Sequence, residues 1–472
     1  MSTFGGLNTA YRGLTAAQQA IDLAGQNIAN ASTPGYTRQR IEQSAIGAPL
    51  PVGLTPGLGQ AGQGVSVDGI ARLGSSFLDA GVRSSAATSG FATVRSTELQ
   101  RLEDSLQEPG AHGLSTALQT FWASWQGVAN HPGESAPASV LLEAAATLSE
   151  TVSAGYKALD AQWSRVRGEA ASSVSELNDA AGRVADLNAR IRSTVAAGGS
   201  ANELIDARNQ LTESIASMAG GTVRENADGT ADVFIGGNAL VSGTSARQLT
   251  LAGPTGLGTV SPVQLEWTDR PGASVNLDGG KLAGAVSLLA PANGSGTGGA
   301  ISEAAAAYNA FATQLMNDVN AIHRTGQSSS GAGNLDFFTT SAGVPAALSL
   351  RVIPTNAAGI ATGAAGSGAL DGSVADKLSQ IGSSASSPDV FWRGVVSGIG
   401  MASRSAQQHS QLANAAEVAA VGQRNSGAGV SMDEENINLL AGQHAYQAAA
   451  RVMTAIDEAL DVLINRTGLV GR

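Results

Sequence analysis

Asp433, Glu434 and Glu435 stand side by side, and neighbouring carboxylates are the groups that acid–base hydrolysis would use. They fall, however, where a helix is expected to begin, and acids in a first turn complement the helix dipole with no further purpose. The histidines His112, His131, His323, His409 and His444 could ligate a metal, but none shares a spacing such as HExxH, and cysteine is absent. They read as ordinary surface or helix-face residues. Asn226, Asp228 and Asp232 surround Gly229 as in the first half of a calcium loop. The closing Glu twelve positions from the start is missing, and a hairpin turn fits better. "GSGTGGA" at 294–300 lacks the Lys-Ser/Thr that completes a phosphate loop and reads as a linker. Trp122 and Trp125 sit three apart, as core residues of a helix do. No catalytic constellation forms, so the chain is expected not to be an enzyme and to need no cofactor or metal.

Composition narrows the classes further. The 472 residues carry a formal charge of −11, which argues against nucleic acid or an anionic membrane surface as partner. Hydrophobic residues make up 43% but aromatics only 4%, so the apolar content is largely Ala, Val and Leu, which suits closely packed helices. The absence of Cys fits an exported subunit that avoids stray disulfides. The start, "MSTFGGLNTAYRG", has no basic stretch followed by an apolar one, so no cleavable secretory leader is expected. No apolar run reaches the roughly eighteen residues of a membrane span.

Stepping along the chain, Leu7, Tyr11, Leu14, Ile21 and Ile28 fall at steps of three, four or seven, a heptad stripe on one helix. Pro34 disfavours helical geometry at Thr33 and should end that helix near 30–32. A Pro/Gly-rich connector at 47–64 leads into a strand, "VSVDGIARL". Helical patterning then covers 75–107, 114–129, 135–197 and about 200–219, and Gly220-Gly221 stop it. From 222 the period becomes two, with hairpin turns at "NADG" and "GGN". Helix returns at "GGKLAGAVSLL", at 301–323, at 389–424 and at 434–465. On the last, Leu439, Tyr446, Met453 and Leu460 recur every seven residues, with Ile456 and Leu463 beside them and Leu440 broadening the face.

The predicted fold is therefore α+β and mainly α. Paired terminal helices (1–35 and 432–472) enclose a long-helix middle domain (36–221, 301–325 and 388–431). That domain carries a β insertion at 222–300, facing outward, and a second small β or irregular insertion at 326–387. Each terminal stripe needs a cover, since an isolated helix with a wet apolar face is marginal. Periodicity leaves two covers open: the other terminal helix together with neighbouring subunits, or the middle domain of the same chain.

Both ends also carry a resemblance. "LNTAYRGLTAAQQAIDLAGQNIANASTPGYTRQ" closely resembles the N-terminal motif of the bacterial flagellar rod, hook and hook-associated proteins, where Asn-Ile-Ala-Asn runs into Thr-Pro-Gly-Tyr. Asn27, Asn30, Thr33, Pro34, Gly35 and Tyr36 match it. "GVSMDEENINLLAGQHAYQAAARVMTAIDEALDVLINRTG" is similar to the C-terminal motif of the same axial family, with Asp433, Glu434 and Glu435 most like its hook-associated members. Gly442 and His444 depart from the aromatic and Gln usual there. "VFIGGNALVSG" and "GGKLAGAVSLL" resemble the middle region of those members.

The resemblance implies a structural subunit exported unfolded through the flagellar type III apparatus. It would polymerise outside the cell as an adaptor layer between hook and filament. Implied partners are further copies of itself, the hook protein on the proximal side, a second junction protein on the distal side, and an export chaperone at the C-terminal helix. The apolar residues named on the two terminal helices would be the assembly interface, loose until a neighbouring subunit arrives. Two other readings stand beside this one: a hook or rod subunit of the same family, and a surface-exposed binding or adhesin module.

Overall fold

The computed structural model describes residues 3–47 and 62–466, so most of the Pro/Gly-rich connector predicted at 47–64 lies outside the described residues. The chain opens with helix α1, Thr3–Ala29, which ends ahead of Pro34 as the proline dictates. Strands β1, Gln39–Ala45, and β2, Val65–Arg72, form an antiparallel ribbon lying along α1. Four helices follow: α2, Ser76–Ser105; α3, Leu114–Asn130; α4, Ser135–Ala196; and α5, Asn202–Ala219.

Helix α4 runs for 62 residues, a rod of about 93 Å at 1.5 Å per residue. Its length follows from an unbroken inner stripe: Leu141, Leu148, Val152, Leu159, Trp163, Val166, Leu177, Val184 and Ile191 are all buried. Their separations are multiples or sums of three and four, which keeps them on one side of a helix. α3 and α5 close on that stripe, as do two later helices, Gly280–Leu289 and Ala300–His323.

After α5 come β3, Thr222–Glu225; β4, Ala231–Ile235; β5, Asn238–Ser242; and β6, Ser245–Ala246, joined in one four-stranded antiparallel sheet. A three-stranded sheet follows, made of β7, Leu249–Ala252; β8, Gln264–Trp267; and β9, Arg270–Ser274. Helices α6, Gly280–Leu289, and α7, Ala300–His323, return the chain to the body.

The 222–300 segment is not a detached module. Strands of four or five residues cannot bury a face alone. Val233, Ile235, Leu240, Val241, Leu249, Leu265 and Trp267 instead share one continuous core with α4, and α6 adds Leu282, Leu288 and Leu289 to it. Deleting 222–290 is therefore expected to lower the thermal midpoint of the body by more than about 10 °C, since it removes several fully buried side chains. An unchanged midpoint in a calorimetric scan would show that the helices close without this segment.

Residues 326–387 fold as short pieces: β10, Gly326–Ser328; β11, Phe338–Thr339; α8, Ala346–Ser349; β12, Arg351–Val352; β13, Ala361–Ala364; and α9, Ser373–Ser379. β10 pairs with β13 and β11 with β12, and the whole caps the ends of α3 and α7. Phe337 and Phe338 enter an aromatic cluster with Phe121 and Trp125.

Helix α10, Pro388–Ala428, then runs along α2. Its start is set by Ser387, whose hydroxyl accepts from Val390 N, with Pro388 in the first turn. The last helix, α11, Met432–Asp461, is capped in the same way by Ser431 and lies against α1. The two terminal helices thus close on each other within one chain.

Candidate assembly interface

α1 and α11 cross in antiparallel fashion. A Cβ added to Gly6 would lie 3.2 Å from Ile456 Cδ1, one on Gly13 3.9 Å from Ala449 Cβ, and one on Gly442 3.0 Å from Ile21 Cγ1. As α1 advances by seven and then eight residues, α11 retreats by seven each time. Small residues set this approach. The residues buried on α1 are Ala10, Ala16, Ala17, Leu23, Ala24 and Asn27, and on α11 only Glu435 and Gly442 are buried.

Of the larger apolar residues of the sequence-derived stripe, Ile21 and Ile456 meet Gly442 and Gly6 in that seam, and the others flank it. Leu7, Leu14, Ile21 and Ile28 on α1 are half-buried, as are Leu439, Tyr446, Met453, Ile456 and Leu460 on α11. Tyr11 is 59% exposed, Leu440 55% and Leu463, just past the end of α11, 57%. Phe4, Leu7, Tyr11, Ala450 and Met453 line an open groove between the two helices, of about 710 Å³.

The far side of α11 is exposed and largely apolar, with His444, Arg451 and Glu458 as the polar residues in its arc. At about 100° per residue, Ile437, His444, Ala448, Ala455 and Val462 lie opposite Glu435, Gly442, Tyr446 and Met453. With Leu440, Val452 and Ala459 they make a stripe in which every member is exposed.

Where the helix pair meets the body, one buried side chain joins three elements. Asn27 Nδ2 donates to Gln39 O at 2.9 Å and to Glu435 Oε2 at 3.2 Å. Its Oδ1 accepts from Gln39 N at 3.2 Å and from Tyr36 Oη at 2.8 Å. The Asn27 amide thus takes the place of a neighbouring strand's peptide along the edge of β1. An Asp there would lose the donor and a Leu both functions. Burial, then the charges of Glu203, Asp206 and Glu435, push the Tyr36 hydroxyl up to about 12, so it stays a donor at neutral pH.

Glu435 is buried and also accepts from Arg38 Nε at 2.7 Å, while Arg38 Nη1 reaches Glu434 at 2.5 Å. Asp433 is exposed in the same turn. The three acids are therefore divided: two hold Arg38 and one faces water.

The Thr-Pro-Gly-Tyr loop is anchored too. Asn30 Oδ1 accepts from Thr33 Oγ1 at 3.2 Å, and Gln210 of α5 donates to Pro34 O. Gly35 has φ of +77°, a left-handed conformation that glycine adopts without strain, and a Cβ there would meet Gln210. Thr37 N donates to Asp206 Oδ2 at 2.9 Å, and Arg72 Nε lies 2.5 Å from Asp206 Oδ1. Arg424 at the end of α10 pairs with Glu213 of α5. The loop is a wired joint and not a free break. Sequence reading missed Arg38, Gln39, Arg72, Asp206, Glu213 and Arg424, whose partners lie up to 397 positions away.

The other candidate groups make local contacts. Asp228 accepts from Thr230 N and Oγ1 within the β3–β4 turn, and Asp232 pairs with Arg224. Glu303 ties down the 294–300 loop by accepting from Asn293 N and Gly298 N. Among the described residues no cluster of three His, Asp or Glu could hold a metal, and no helix is long and apolar enough to cross a membrane.

Comparison with known proteins decides the family. The model of the flagellar hook-associated protein FlgK helical domain matches residues 99–338. Over its full length the chain is 30% identical to the flagellar hook-associated protein 1 of Bacillus subtilis, all of which is covered. The chain belongs to the flagellar hook-associated protein 1 family. The family member of Salmonella typhimurium is 32% identical over 52% of this chain and 43% of its own length. Two models of flagellar basal-body rod proteins match only the ends, at 7–37 and 422–466, which are α1 with its loop and α11 with the end of α10. The flagellar hook junction protein FlgK of Burkholderia pseudomallei has the same fold over 76% of this chain and all of its own, with a TM-score of 0.63 at 15% identity.

Proposed function

We propose that this member of the hook-associated protein 1 family is a structural subunit that polymerises as an adaptor layer between flagellar hook and filament, outside the cell. Its contacts would be further copies of itself, the hook protein below and a second junction protein above, with an export chaperone taking the C-terminal helix beforehand. The single observation that carries this reading is the exposed, largely apolar outer face of α11. α1 occupies the inner face, and the outer face from Ile437 to Val462 is left exposed at helical spacing, as a tube-forming helix requires. A subunit that meets copies of itself through unlike surfaces builds helical layers and not closed dimers.

The test is a double variant of the outer stripe. Ile437→Asp with Val452→Asp places two charges on that stripe and leaves the inner seam untouched. Hydrogen exchange across α1 is expected to match the parent protein, while electron microscopy of cells carrying the variant is expected to show hooks without filaments. Normal filaments would remove the outer stripe from the assembly.

A further inference from the structure

His112, His131, His409 and His444 are exposed, but His323 is completely buried at the end of α7. Its Nδ1 lies 2.7 Å from Leu335 O, and Ala361 N donates to its Nε2 at 2.9 Å. A backbone amide can only donate, so Nε2 is an acceptor and the ring proton sits on Nδ1. The ring is boxed in by Trp125 and Phe337. One turn earlier, Asn320 holds the same segment by accepting from Phe337 N and Phe338 N and donating to Phe338 O. His323 thus ties Leu335 to Ala361, while Asn320 holds Phe337 and Phe338, and Asn309 and Gln314 of the same helix bond Ala347 N and Ser386 O; of these four side chains only His323 titrates.

We propose that His323 is an acid-sensitive latch, which holds residues 326–387 on the helical body and lets them open when its ring takes a second proton. The added proton sits on Nε2 and turns the acceptor into a donor facing the Ala361 N–H, so that contact is lost and a cation is left among aromatic rings. Burial already pulls the ring below the ordinary histidine range, opposed by its bond to Leu335 and by Asp336. Asp336 is itself engaged by Arg324. Around the cap, Arg351 on β12 and Lys377 on α9 are exposed, Asp371 accepts from Ala364, Ser367 and Ser373, and Asp376 from Gln380. His131 and Glu134, past the end of α3, are exposed. The sign follows from the lowered value. The latch is fully closed above about pH 6.5, the unfolded value, and weakens as pH falls from there towards the native one.

Hydrogen exchange on the full chain at pH 7.5, 6.5 and 5.5, corrected for intrinsic rates, tests this at the amides of β10 and β13. Their opening constant is expected to rise by up to about tenfold per pH unit below 6.5, while amides of α2 stay unchanged. In His323→Gln, whose amide supplies one donor and one acceptor without titrating, the rise should vanish. A flat opening constant, a rise shared equally by α2, or the same slope in His323→Gln would overturn the proposal. If that variant does not fold, the comparison of the cap with α2 in the parent chain decides alone.

Discussion

Glu435→Ala is expected to raise the opening equilibrium of α1 by about 30- to 150-fold, from a loss of about 2–3 kcal/mol. The carboxylate is buried and receives Arg38 and Asn27 together. Removing it leaves a guanidinium that is only partly exposed without its main acceptor, while Glu434 at the surface keeps a weaker hold. That residual pairing, and the partial exposure of Arg38, place the estimate below the full cost of stripping a partner from a deeply buried pair. Hydrogen exchange at Ala16, Ala17 and Ala24 is the measurement. Glu435→Gln, which preserves shape and one acceptor, should show a smaller rise, and Asp433→Ala none. Equal protection in Glu435→Ala and the parent would mean that the Ala/Gly seam alone holds the pair.

How much of this was legible in the sequence depends on the range of the interaction. Local chemistry reads directly: Pro34 ends α1, and Gly220 with Gly221 close α5 before the strands begin. The apolar stripes at the two ends were equally plain. What periodicity could not supply was the seam. Hydropathy selects Leu14, Tyr11 and Met453, whereas close antiparallel packing selects Ala10, Ala17, Ala24 and Gly442, because axial distance follows the side chains at the contact. Ile21 and Ile456 enter the seam only opposite Gly442 and Gly6, and Tyr11 is left at the flank, more exposed than buried.

Polar sites were the least legible. Glu435 looks like any first-turn acid until Asn27 and Arg38 arrive from the opposite end of the chain. His323 looks like a helix-face residue until Leu335 and Ala361 fold back over it. In each case the residue type and its position on a helix were visible, but the partner was set by topology. The 222–300 strands show the same limit: their alternation is visible in the sequence, while the core they share with α4 is set by topology.

Inserting one Ala after Gln447 is expected to leave export and the thermal transition of the helical body intact and to abolish filament attachment. Ala is the best helix former, so α11 itself should persist. Each residue turns a helix by about 100°, so everything beyond the insertion rotates by that amount against everything before it. Gly442 against Ile21 and Ile456 against Gly6 can then no longer be satisfied together. The outer stripe breaks at the same point, because Ile437 and Leu440 lie before the insertion and Val452 and Val462 after it. Met453→Asp should weaken only the inner groove, since it brings a carboxylate beside Leu7 and Tyr11 without altering the outer stripe. An Ala inserted after Val260, which is 92% exposed in the loop between β7 and β8, is the silent control. Electron microscopy of hooks, with the secreted protein assayed in the medium, separates failed assembly from failed export. Normal filaments on the register-shifted variant would mean that neither face of α11 is read by a neighbour. Loss of filaments in it, with Met453→Asp still competent, would assign the neighbour contact to the outer stripe alone.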